Sequence, residues 1–264
     1  MPRIGMTEAG DAGWDFQWFT KLTQFDFAGA ILITKAVSRP QFMQKALELY
    51  GIKPFIIHAG ITGWGGTPME PNVADYRTSL NAVRSLIDSG IPARNFVLRI
   101  DPIYPTPEGI QRAVDVVNAA SEIIPDVTRI RISIYDDYHN ARHEIANRGL
   151  PLVDDNPKWK NEMERRPTPA QVTAVATALI AARPDLVYEV CAEPEIASAY
   201  KDHFIWHGCL SHKDCDIMGI TVPAGTGING QNRFGCRCLK LKTELLDKKR
   251  RCPNNCAYCY WGRN

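Results

Sequence analysis

The sequence predicts an α/β protein built on a parallel sheet, and two observations support that prediction. Short apolar runs alternate with segments of helical periodicity along the first two-thirds of the 264-residue chain. The runs are apolar throughout rather than alternating, as expected of strands that are buried on both faces. Six consecutive strand–helix units favour a parallel sheet. Because six units are too few for a closed TIM barrel, we predict a partial (β/α)6 TIM-like barrel, with a doubly wound open sheet as the alternative.

The predicted strands are the six apolar runs. They lie at residues 3–6, 30–34, 55–58, 96–100, 129–134 and 186–191.

The predicted helices carry apolar residues at three- and four-residue spacing on one face. The inward-facing sets are Met43, Leu47 and Tyr50 after Ser38; Tyr76, Leu80, Val83 and Ile87; Ile110, Val114 and Val117; and Val172, Val175 and Leu179. Two of these helices begin with a threonine cap followed by proline in the first turn, at Thr106 and at Thr168.

Two regions depart from the alternation of strands and helices. Residues 136–166 form a long, charged insertion, which we interpret as a lid or a solvated excursion. From about residue 200 the periodicity fades and a cysteine-rich tail begins. We therefore predict a barrel over residues 1–199 and a cluster-binding tail over residues 200–264 that packs on the barrel mouth.

Composition excludes several classes of protein. With 45% hydrophobic and 23% charged residues, the chain is neither disordered nor fibrous. No run approaches the ~18 apolar residues of a membrane span. The first residues also lack the charged and apolar regions of a signal peptide. We expect a cytoplasmic protein that does not contact membranes. The net charge of +2 says nothing about partners.

Polar side chains follow every predicted strand. In both candidate architectures the carboxyl ends of the strands line the site. The residues at these positions are Thr7, Glu8, Lys35, His58, Thr62, Arg99, Asp101, Tyr135, Asp136, Cys191 and Glu193. Loop polarity alone explains any one of them, but together they predict a substrate cavity.

The eight cysteines all lie at or after Cys191. Without secretory features, such a cluster indicates metal or redox chemistry rather than disulfides. Cys252, Cys256 and Cys259 follow the spacing C-x3-C-x2-C, with Tyr258 before the last cysteine. Three thiolates can bind three irons of a 4Fe–4S cube and leave the fourth iron open. Structural zinc prefers four ligands, so three cysteines at this spacing fit zinc less well. The alternatives to the cluster are a zinc knuckle and plain reduced thiols.

This spacing, with its aromatic residue, is the signature of the radical S-adenosylmethionine (SAM) superfamily. Most of the chain also resembles an uncharacterised bacterial domain family whose radical-SAM-like cysteines lie at the C-terminus. The other segments that carry the resemblance are 61–65, 70–73, 99–103, 191–193, 207–210, 230–233 and 235–238. One departure is the first strand exit, where residues 6–11 read MTEAGD instead of a Ser-Arg-Arg-Thr-Asp type.

The resemblance implies a barrel closed by a terminal cluster loop, and it implies radical chemistry. A reduced 4Fe–4S cluster would pass one electron to the sulfonium of SAM, and the resulting 5′-deoxyadenosyl radical would abstract a hydrogen atom. Cys252, Cys256 and Cys259 would hold the cluster. Tyr258 would lie over it near the adenine.

Further site residues are predicted from a second resemblance and from the strand exits. Gly65, Gly66 and Thr67 resemble the glycine-rich segment that receives the methionine amino group of SAM, although Gly-Gly-x-Pro is also ordinary turn chemistry. The strand-exit residues expected to orient SAM or the substrate are Arg99, Asp101 and Glu193.

The remaining cysteines leave alternatives open. Cys209, Cys215, Cys236 and Cys238 form a second iron–sulfur or zinc site, or they are plain core and loop thiols. Cys191 is either a buried thiol or a hydrogen donor to a radical.

A basic run suggests the substrate. Lys248, Lys249, Arg250 and Arg251 precede Cys252, and Tyr260 and Trp261 follow the last cysteine. Cations beside aromatic residues are typical of sites for single-stranded or extruded nucleotides, although a solvated flank of the cluster explains the same run. Spore photoproduct lyases are similar in size class and act on extruded bases. We therefore predict modification or rearrangement (isomerase or lyase type) of a base such as a thymine derivative in DNA.

The predicted protein partner is a low-potential electron donor of flavodoxin or ferredoxin type. Two other functions stay open. One is a non-catalytic nucleic-acid-binding protein stabilised by an iron–sulfur cluster or zinc. The other is a metal-dependent hydrolase that uses His58, Asp101 and Glu193.

Overall fold

The structure is a computed structural model that describes residues 1–153, 164–231, 235–247 and 252–260. Its strands in chain order are β1 (Ile4–Met6), β2 (Gly29–Thr34), β3 (Phe55–Gly60), β4 (Phe96–Ile103), β5 (Ile130–Ile134), β6 (Asp137–Tyr138), β7 (Glu164–Arg165), β8 (Tyr188–Val190), β9 (Phe204–Trp206) and β10 (Lys242–Glu244). Its helices are α1 (Gln17–Gln24), α2 (Pro40–Leu49), α3 (Tyr76–Asp88), α4 (Pro107–Ile123), α5 (His139–Asn147), α6 (Pro169–Ala182), α7 (Pro194–Ala199) and α8 (His212–Ile217). A short 3-10 turn, Ala93–Asn95, precedes β4.

Eight of these strands form one parallel sheet in the order β10-β1-β2-β3-β4-β5-β8-β9. The prediction of an α/β fold with a parallel sheet is confirmed. All six predicted strands are present as its central strands. The sheet is wider than predicted, because the tail adds β9 at one edge and β10 at the other. Each of these strands has only three residues.

Helices cover one face of the sheet. Their buried side chains pack against the apolar residues of β2 to β5 and β8 in one continuous core. The buried side chains of this core include Trp18 of α1, Phe42 of α2 and Leu80 of α3. Removal of such apolar surface from water is the main favourable term in folding.

The predicted inward face of α2 is wrong at two of its three positions, since Met43 alone of the three packs against the core. Leu47 and Tyr50 are exposed, whereas Phe42, Ala46 and Leu49 are fully buried. Both sets follow helical spacing, so the sequence pattern alone does not separate them. The Phe42 ring decides the orientation, because it packs edge-on against the buried Trp18 at a centroid distance of 6.2 Å.

The predicted helix starts at Thr106 and Thr168 are confirmed. The Thr106 hydroxyl accepts a hydrogen bond from the Gly109 N–H at the start of α4. At the start of α6, Thr168 and Gln171 form a reciprocal capping box. Side-chain oxygens at these positions satisfy N–H groups that have no partner inside the helix.

The tail covers the opposite face of the sheet. Ile4, Ile31 and Val97 of the sheet belong to one buried cluster with residues of the tail, among them Leu210 and Leu239. The tail therefore packs along the sheet as well as pairing at both of its edges. This arrangement brings the cysteine-bearing segments to the carboxyl ends of the strands.

The charged insertion contains short elements of its own. Strands β6 and β7 pair antiparallel, and α5 follows β6. Residues 154–163 lie outside the described residues. None of the helices in the described ranges combines the length and the apolar character that crossing a bilayer requires.

Candidate functional site

A cavity of about 710 Å³ lies at the carboxyl ends of the parallel strands. Its strand-exit wall includes Glu8, Lys35, Arg99, Asp101, Tyr135, Asp136 and Cys191. Its tail wall includes Cys209, Cys236, Cys238, Cys252, Cys256, Tyr258, Cys259 and Tyr260. Seven of the eight cysteines thus line one cavity, and Cys215 is the exception.

Asp11 connects the first strand exit to the terminal cysteine loop. One of its carboxylate oxygens accepts hydrogen bonds from the Gly13 N–H at 2.7 Å and the Thr34 hydroxyl at 2.6 Å. The other accepts from the Lys35 N–H at 2.7 Å and the Asn254 amide at 2.5 Å. Asp11 is buried, so these bonds supply the partners that a desolvated carboxylate requires. The first strand exit therefore contributes an anchor for the cysteine loop through Asp11.

The loop that carries Cys252, Cys256 and Cys259 is held at several backbone positions. The Asn72 amide donates to the Pro253 carbonyl at 2.7 Å, and the Ala257 N–H donates to the Met69 carbonyl at 2.8 Å. Arg148 donates to the Asn255 carbonyl at 2.8 Å. These contacts position the loop independently of any bound cofactor.

A buried carboxylate, Glu70, lies beneath this loop. It pairs with the Lys35 ammonium at 2.9 Å and accepts hydrogen bonds from the Tyr258 hydroxyl and, at 2.8 Å, from the Thr62 hydroxyl. The Lys35 ammonium also lies 5.3 Å from the centre of the Tyr258 ring. Burial alone would lower the pKa of Lys35, but the Glu70 carboxylate outweighs it and the pKa is raised. A protonated lysine therefore stays beside the cysteine loop at neutral pH.

Gly65, Gly66 and Thr67 are not among the residues that line the cavity. A Cβ on Gly65 would lie 1.9 Å from the Ala74 carbonyl oxygen, so only glycine allows this close backbone approach. The Gly66 N–H donates to the Glu70 carbonyl, and the Thr67 hydroxyl donates to the Trp64 carbonyl. The segment thus forms a tight turn that presents Glu70 to Tyr258 and Lys35.

Burial raises the pKa of two of the three terminal thiols. It raises the pKa of Cys252 to about 12 and that of Cys256 well above its usual value, although the nearby Lys35 charge opposes both shifts. The thiols of Cys252, Cys256 and Cys259 lie within electrostatic range of one another. A positive metal centre at this position would favour their thiolate forms.

The three terminal thiols line one cavity, which is compatible with the ligand set of a 4Fe–4S cluster. Within the described ranges, no three His, Cys, Asp or Glu side chains are arranged to hold one metal ion. In a 4Fe–4S cube each cysteine binds a different iron, so its ligands surround a larger body instead of converging on one point. Three thiols facing one cavity are compatible with that requirement.

Arg99 and Asp101 form an ion pair on the cavity wall. Burial would lower the pKa of Arg99, but Asp101 and the thiols of Cys209 and Cys191 more than compensate. The wall therefore offers a permanent cation next to a carboxylate acceptor.

Glu193 does not line the cavity but lies behind its wall. Its carboxylate is 3.4 Å from the Ser133 hydroxyl and accepts from the Ile134 N–H at 3.3 Å. Burial, with the charge of Asp136, raises the pKa of Glu193 to about 8. His58 is also absent from the cavity wall and is fully buried. Of the three residues considered for a hydrolase, only Asp101 lines the cavity.

A second group of thiols lies on the same cavity. Cys191, Cys209, Cys236 and Cys238 belong to it, whereas Cys215 is buried behind it near the charges of Asp214 and Asp216. The sequence grouped Cys215 with Cys209, Cys236 and Cys238. The fold instead brings Cys191 to the cavity beside the other three.

The basic run Lys248, Lys249, Arg250 and Arg251 lies outside the described residues, as does Trp261. Tyr260 is described, and its ring lies 5.6 Å from that of Tyr138 across the cavity rim.

The sequence model of one protein family, described as "Domain of unknown function (DUF1848)", matches residues 19–261. The chain belongs to this family. A comparison with curated proteins finds no match. The DUF1848 match includes all eight cysteines and leaves Asp11 outside it. The further link to the radical SAM superfamily stays a prediction.

Sequence reasoning for this DUF1848 member missed the roles of Glu70 and Asn254. Glu70 was part of a family segment without an assigned role, and Asn254 lies between the first two terminal cysteines. The Asn254 side chain is buried, accepts from the Trp14 indole N–H at 2.7 Å and donates to Asp11. A polar residue between two closely spaced cysteines is the available signal, but its partner comes from residues far away in sequence.

Proposed function

We propose that this protein is a radical SAM enzyme. Cys252, Cys256 and Cys259 would hold a 4Fe–4S cluster, and SAM would occupy the open iron. The observation that carries the proposal is that the three cysteines of the C-x3-C-x2-C sequence line one cavity with the strand-exit residues Arg99 and Asp101.

When bound, the cluster would supply one electron to SAM and so generate a radical that takes a hydrogen atom from the substrate. The residues of the chain would hold the cluster, orient SAM and the substrate, and shield the site. Tyr258 is buried and its hydroxyl is fixed by Glu70, so its ring covers the cysteine loop in a defined position. Lys35 places a positive charge beside Cys256, which favours an anionic cluster there.

The Arg99–Asp101 pair would orient a polar ligand. A guanidinium suits a carboxylate or phosphate, and a carboxylate accepts hydrogen bonds from hydroxyl or amino groups. SAM contains a carboxylate, an amino group and ribose hydroxyls, so both members of the pair have suitable partners in it. Cys191 on the same wall keeps its proton, because contact with Cys209 and burial raise its pKa.

The architecture is compatible with a partial TIM-like barrel. The central strands run in sequential order with helices on one face, and the tail covers the other face. In such barrels the site lies at the carboxyl ends of the strands, where the cavity is found. We also place the protein in the cytoplasm, where a flavodoxin- or ferredoxin-like donor would supply the electron.

Anaerobic reconstitution with iron and sulfide tests the enzyme proposal. After reduction, we expect a 4Fe–4S electron paramagnetic resonance signal that shifts when SAM is added, together with release of 5′-deoxyadenosine. A cluster that does not respond to SAM would contradict the proposal and favour a structural role for the tail. Activity in air without reductant would favour the hydrolase.

A nucleic-acid base is the substrate class we propose, because the basic run Lys248–Arg251 immediately precedes Cys252. Changing all four basic residues to Gln should weaken binding of a single-stranded oligonucleotide. It should also flatten the dependence of affinity on salt, by about 0.7 in logarithmic slope for each lost phosphate contact. Binding is measured by fluorescence anisotropy over a range of salt concentrations.

The matched control removes four basic residues away from the cavity, with Lys45, Arg77, Arg84 and Arg94 changed to Gln. None of these residues lines the cavity, so the salt slope should stay at the wild-type value. Equal slopes for the wild type and the Lys248–Arg251 variant would refute nucleic-acid recognition by this run.

A further inference from the structure

Four free thiols form a continuous series of sulfur contacts on the tail side of the cavity. Cys191 follows β8, Cys209 follows β9, and Cys236 and Cys238 lie before β10. The sulfurs of Cys191 and Cys209 are 3.4 Å apart. The Cys238 thiol hydrogen-bonds with those of Cys209 and Cys236. Thiols in direct contact are placed for thiol–disulfide exchange, in which one sulfur attacks another.

The backbone is constrained where it brings these sulfurs together. A Cβ on Gly208 would lie 2.5 Å from the backbone nitrogen of Cys238, so only glycine allows this approach. Gly235 has a φ of +70°, and a Cβ on it would lie 2.9 Å from the Ala192 carbonyl oxygen. Ala192, directly after Cys191, itself has a φ of +62°, which residues other than glycine rarely adopt. Such backbone strain is concentrated at functional sites.

The thiols at the two ends of the series differ in acidity. Hydrogen bonds from the Cys238 thiol and from the backbone N–H groups of Cys238 and Gln231 outweigh burial and lower the pKa of Cys236 to about 6. At the other end, contact with Cys209 and burial raise the pKa of Cys191 well above its usual value. The attacking form in exchange is the thiolate, and the sulfur of lower pKa is the better leaving group. Cys236 is therefore the thiol best suited to start the exchange, and Cys191 the one best suited to remain in a disulfide.

We propose that these four cysteines exchange with a low-molecular-weight disulfide in the cavity and end with Cys191 and Cys209 joined by a disulfide bond. All four line the cavity. Its volume of about 710 Å³ admits a small molecule, whereas a disulfide of another protein could not reach thiols that are buried within it. The proposal adds a reductase activity to the proposed function and does not depend on it.

The exchange balances in atoms and electrons. The Cys236 thiolate attacks one sulfur of the small disulfide, whose S–S bond breaks and releases the first small thiol. Cys238 then attacks the Cys236 sulfur and releases the second. Cys209 attacks Cys238, which frees Cys236, and Cys191 attacks Cys209, which frees Cys238. The small disulfide gains two electrons from Cys191 and Cys209, and the two protons that these thiols lose are balanced by those on the two small thiols.

Peptide mapping after exposure to one small disulfide tests the proposal. The full-length chain is treated with a chelator, reduced, freed of reductant and incubated anaerobically with bis(2-hydroxyethyl) disulfide. Trypsin separates Cys191 from Cys209 at Lys201, so mass spectrometry detects a bond between their peptides. We expect the Cys191–Cys209 disulfide as the main product. A main product among the terminal cysteines, or a chain that keeps all eight thiols, would overturn the proposal.

Two matched variants test the order of the exchange. Cys236→Ser should slow formation of the Cys191–Cys209 disulfide by about tenfold or more, because the thiols that remain in the series are mostly protonated at neutral pH. Cys215→Ser should react at the wild-type rate, since Cys215 is also buried but does not line the cavity. Equal rates for Cys236→Ser and the wild type would contradict entry through Cys236. Circular dichroism checks that both variants remain folded.

The exchange and the proposed function fail in different ways. Cys256→Ala should still form the Cys191–Cys209 disulfide at the wild-type rate, although it should not cleave SAM. If the radical SAM proposal is wrong, the wild type cleaves no SAM after reconstitution but still forms this disulfide. If the exchange is wrong, the wild type cleaves SAM and the small disulfide leaves Cys191 and Cys209 reduced.

Discussion

Replacing Cys256 with alanine is expected to abolish SAM cleavage while the fold persists. Cys256 is the middle ligand of the proposed terminal cluster and is 8% exposed. A cube with only two cysteine ligands would lose the arrangement that leaves one iron open for SAM. The fold should persist because the loop is held by Asp11, Asn72 and Arg148 through contacts that do not involve the sulfur. The measurement is release of 5′-deoxyadenosine under reducing, anaerobic conditions.

Cys215→Ala is the matched control for this prediction. Cys215 is also buried, so its substitution creates a similar loss of core volume, but it lies away from the cavity. We expect the control to cleave SAM at the wild-type rate, and we expect both variants to unfold at similar urea concentrations. Retained cleavage in the Cys256 variant would refute the assignment of the terminal cluster.

Local signals explain how much of the fold the sequence could predict. The threonine–proline pairs at residues 106–107 and 168–169 specify helix starts through contacts within one turn, and both starts were predictable. The edge strand β10 depends instead on pairing between Ile4 and Lys242, from opposite ends of the chain. Pairing between residues so far apart in sequence produces no pattern that could be recognised in the three residues of β10. The inward face of α2 was predicted wrongly at Leu47 and Tyr50 for a related reason, since the neighbouring Trp18 ring selects between two faces with the same spacing.

The same distinction applies to the site. The terminal cysteines lie within eight residues of one another, so their grouping was predictable from spacing. Whether Cys191 or Cys215 joins the second group depends on how β8, β9 and the tail converge. Spacing carries no information on that choice. The glycines at positions 208 and 235 were visible in the sequence, but their meaning requires the opposing backbone segments.

A network of buried charges beneath the cavity was also not predictable. Arg131 of β5 lies opposite Glu189 of β8 in the sheet, and the two form an ion pair. Arg129 pairs with Glu189 and with Asp214 of α8, each at 2.8 Å. The runs around these residues predicted strands correctly, but the charges lie on the face that the tail covers. Their partners become apparent only when α8 packs there.

Replacing Arg131 with methionine is expected to destabilise the protein by about 3–5 kcal/mol, because it leaves two buried carboxylates, Glu189 and Asp214, with Arg129 as their one buried cation. Arg131 is 0% exposed and donates to Glu189 and to the Cys209 carbonyl. Burial would raise the pKa of Glu189, but the charge of Arg131 and hydrogen bonds from Arg129 hold it well below its usual range. The free energy of unfolding is measured by urea titration.

Two further variants separate lost charge balance from lost packing. In Arg131→Met/Glu189→Gln, the buried cation Arg129 again faces a single buried carboxylate, Asp214. This double variant should therefore be more stable than Arg131→Met alone. Arg84→Met removes a guanidinium from an exposed pair with Asp88 and should change stability little, because water and salt screen such pairs. A double variant less stable than Arg131→Met would show that packing of the arginine side chain, and not its charge, stabilises this face. In that case packing, not charge, would stabilise the tail on the sheet. The position of the second group of thiols would then depend on packing of the Arg131 side chain beside the Cys209 carbonyl.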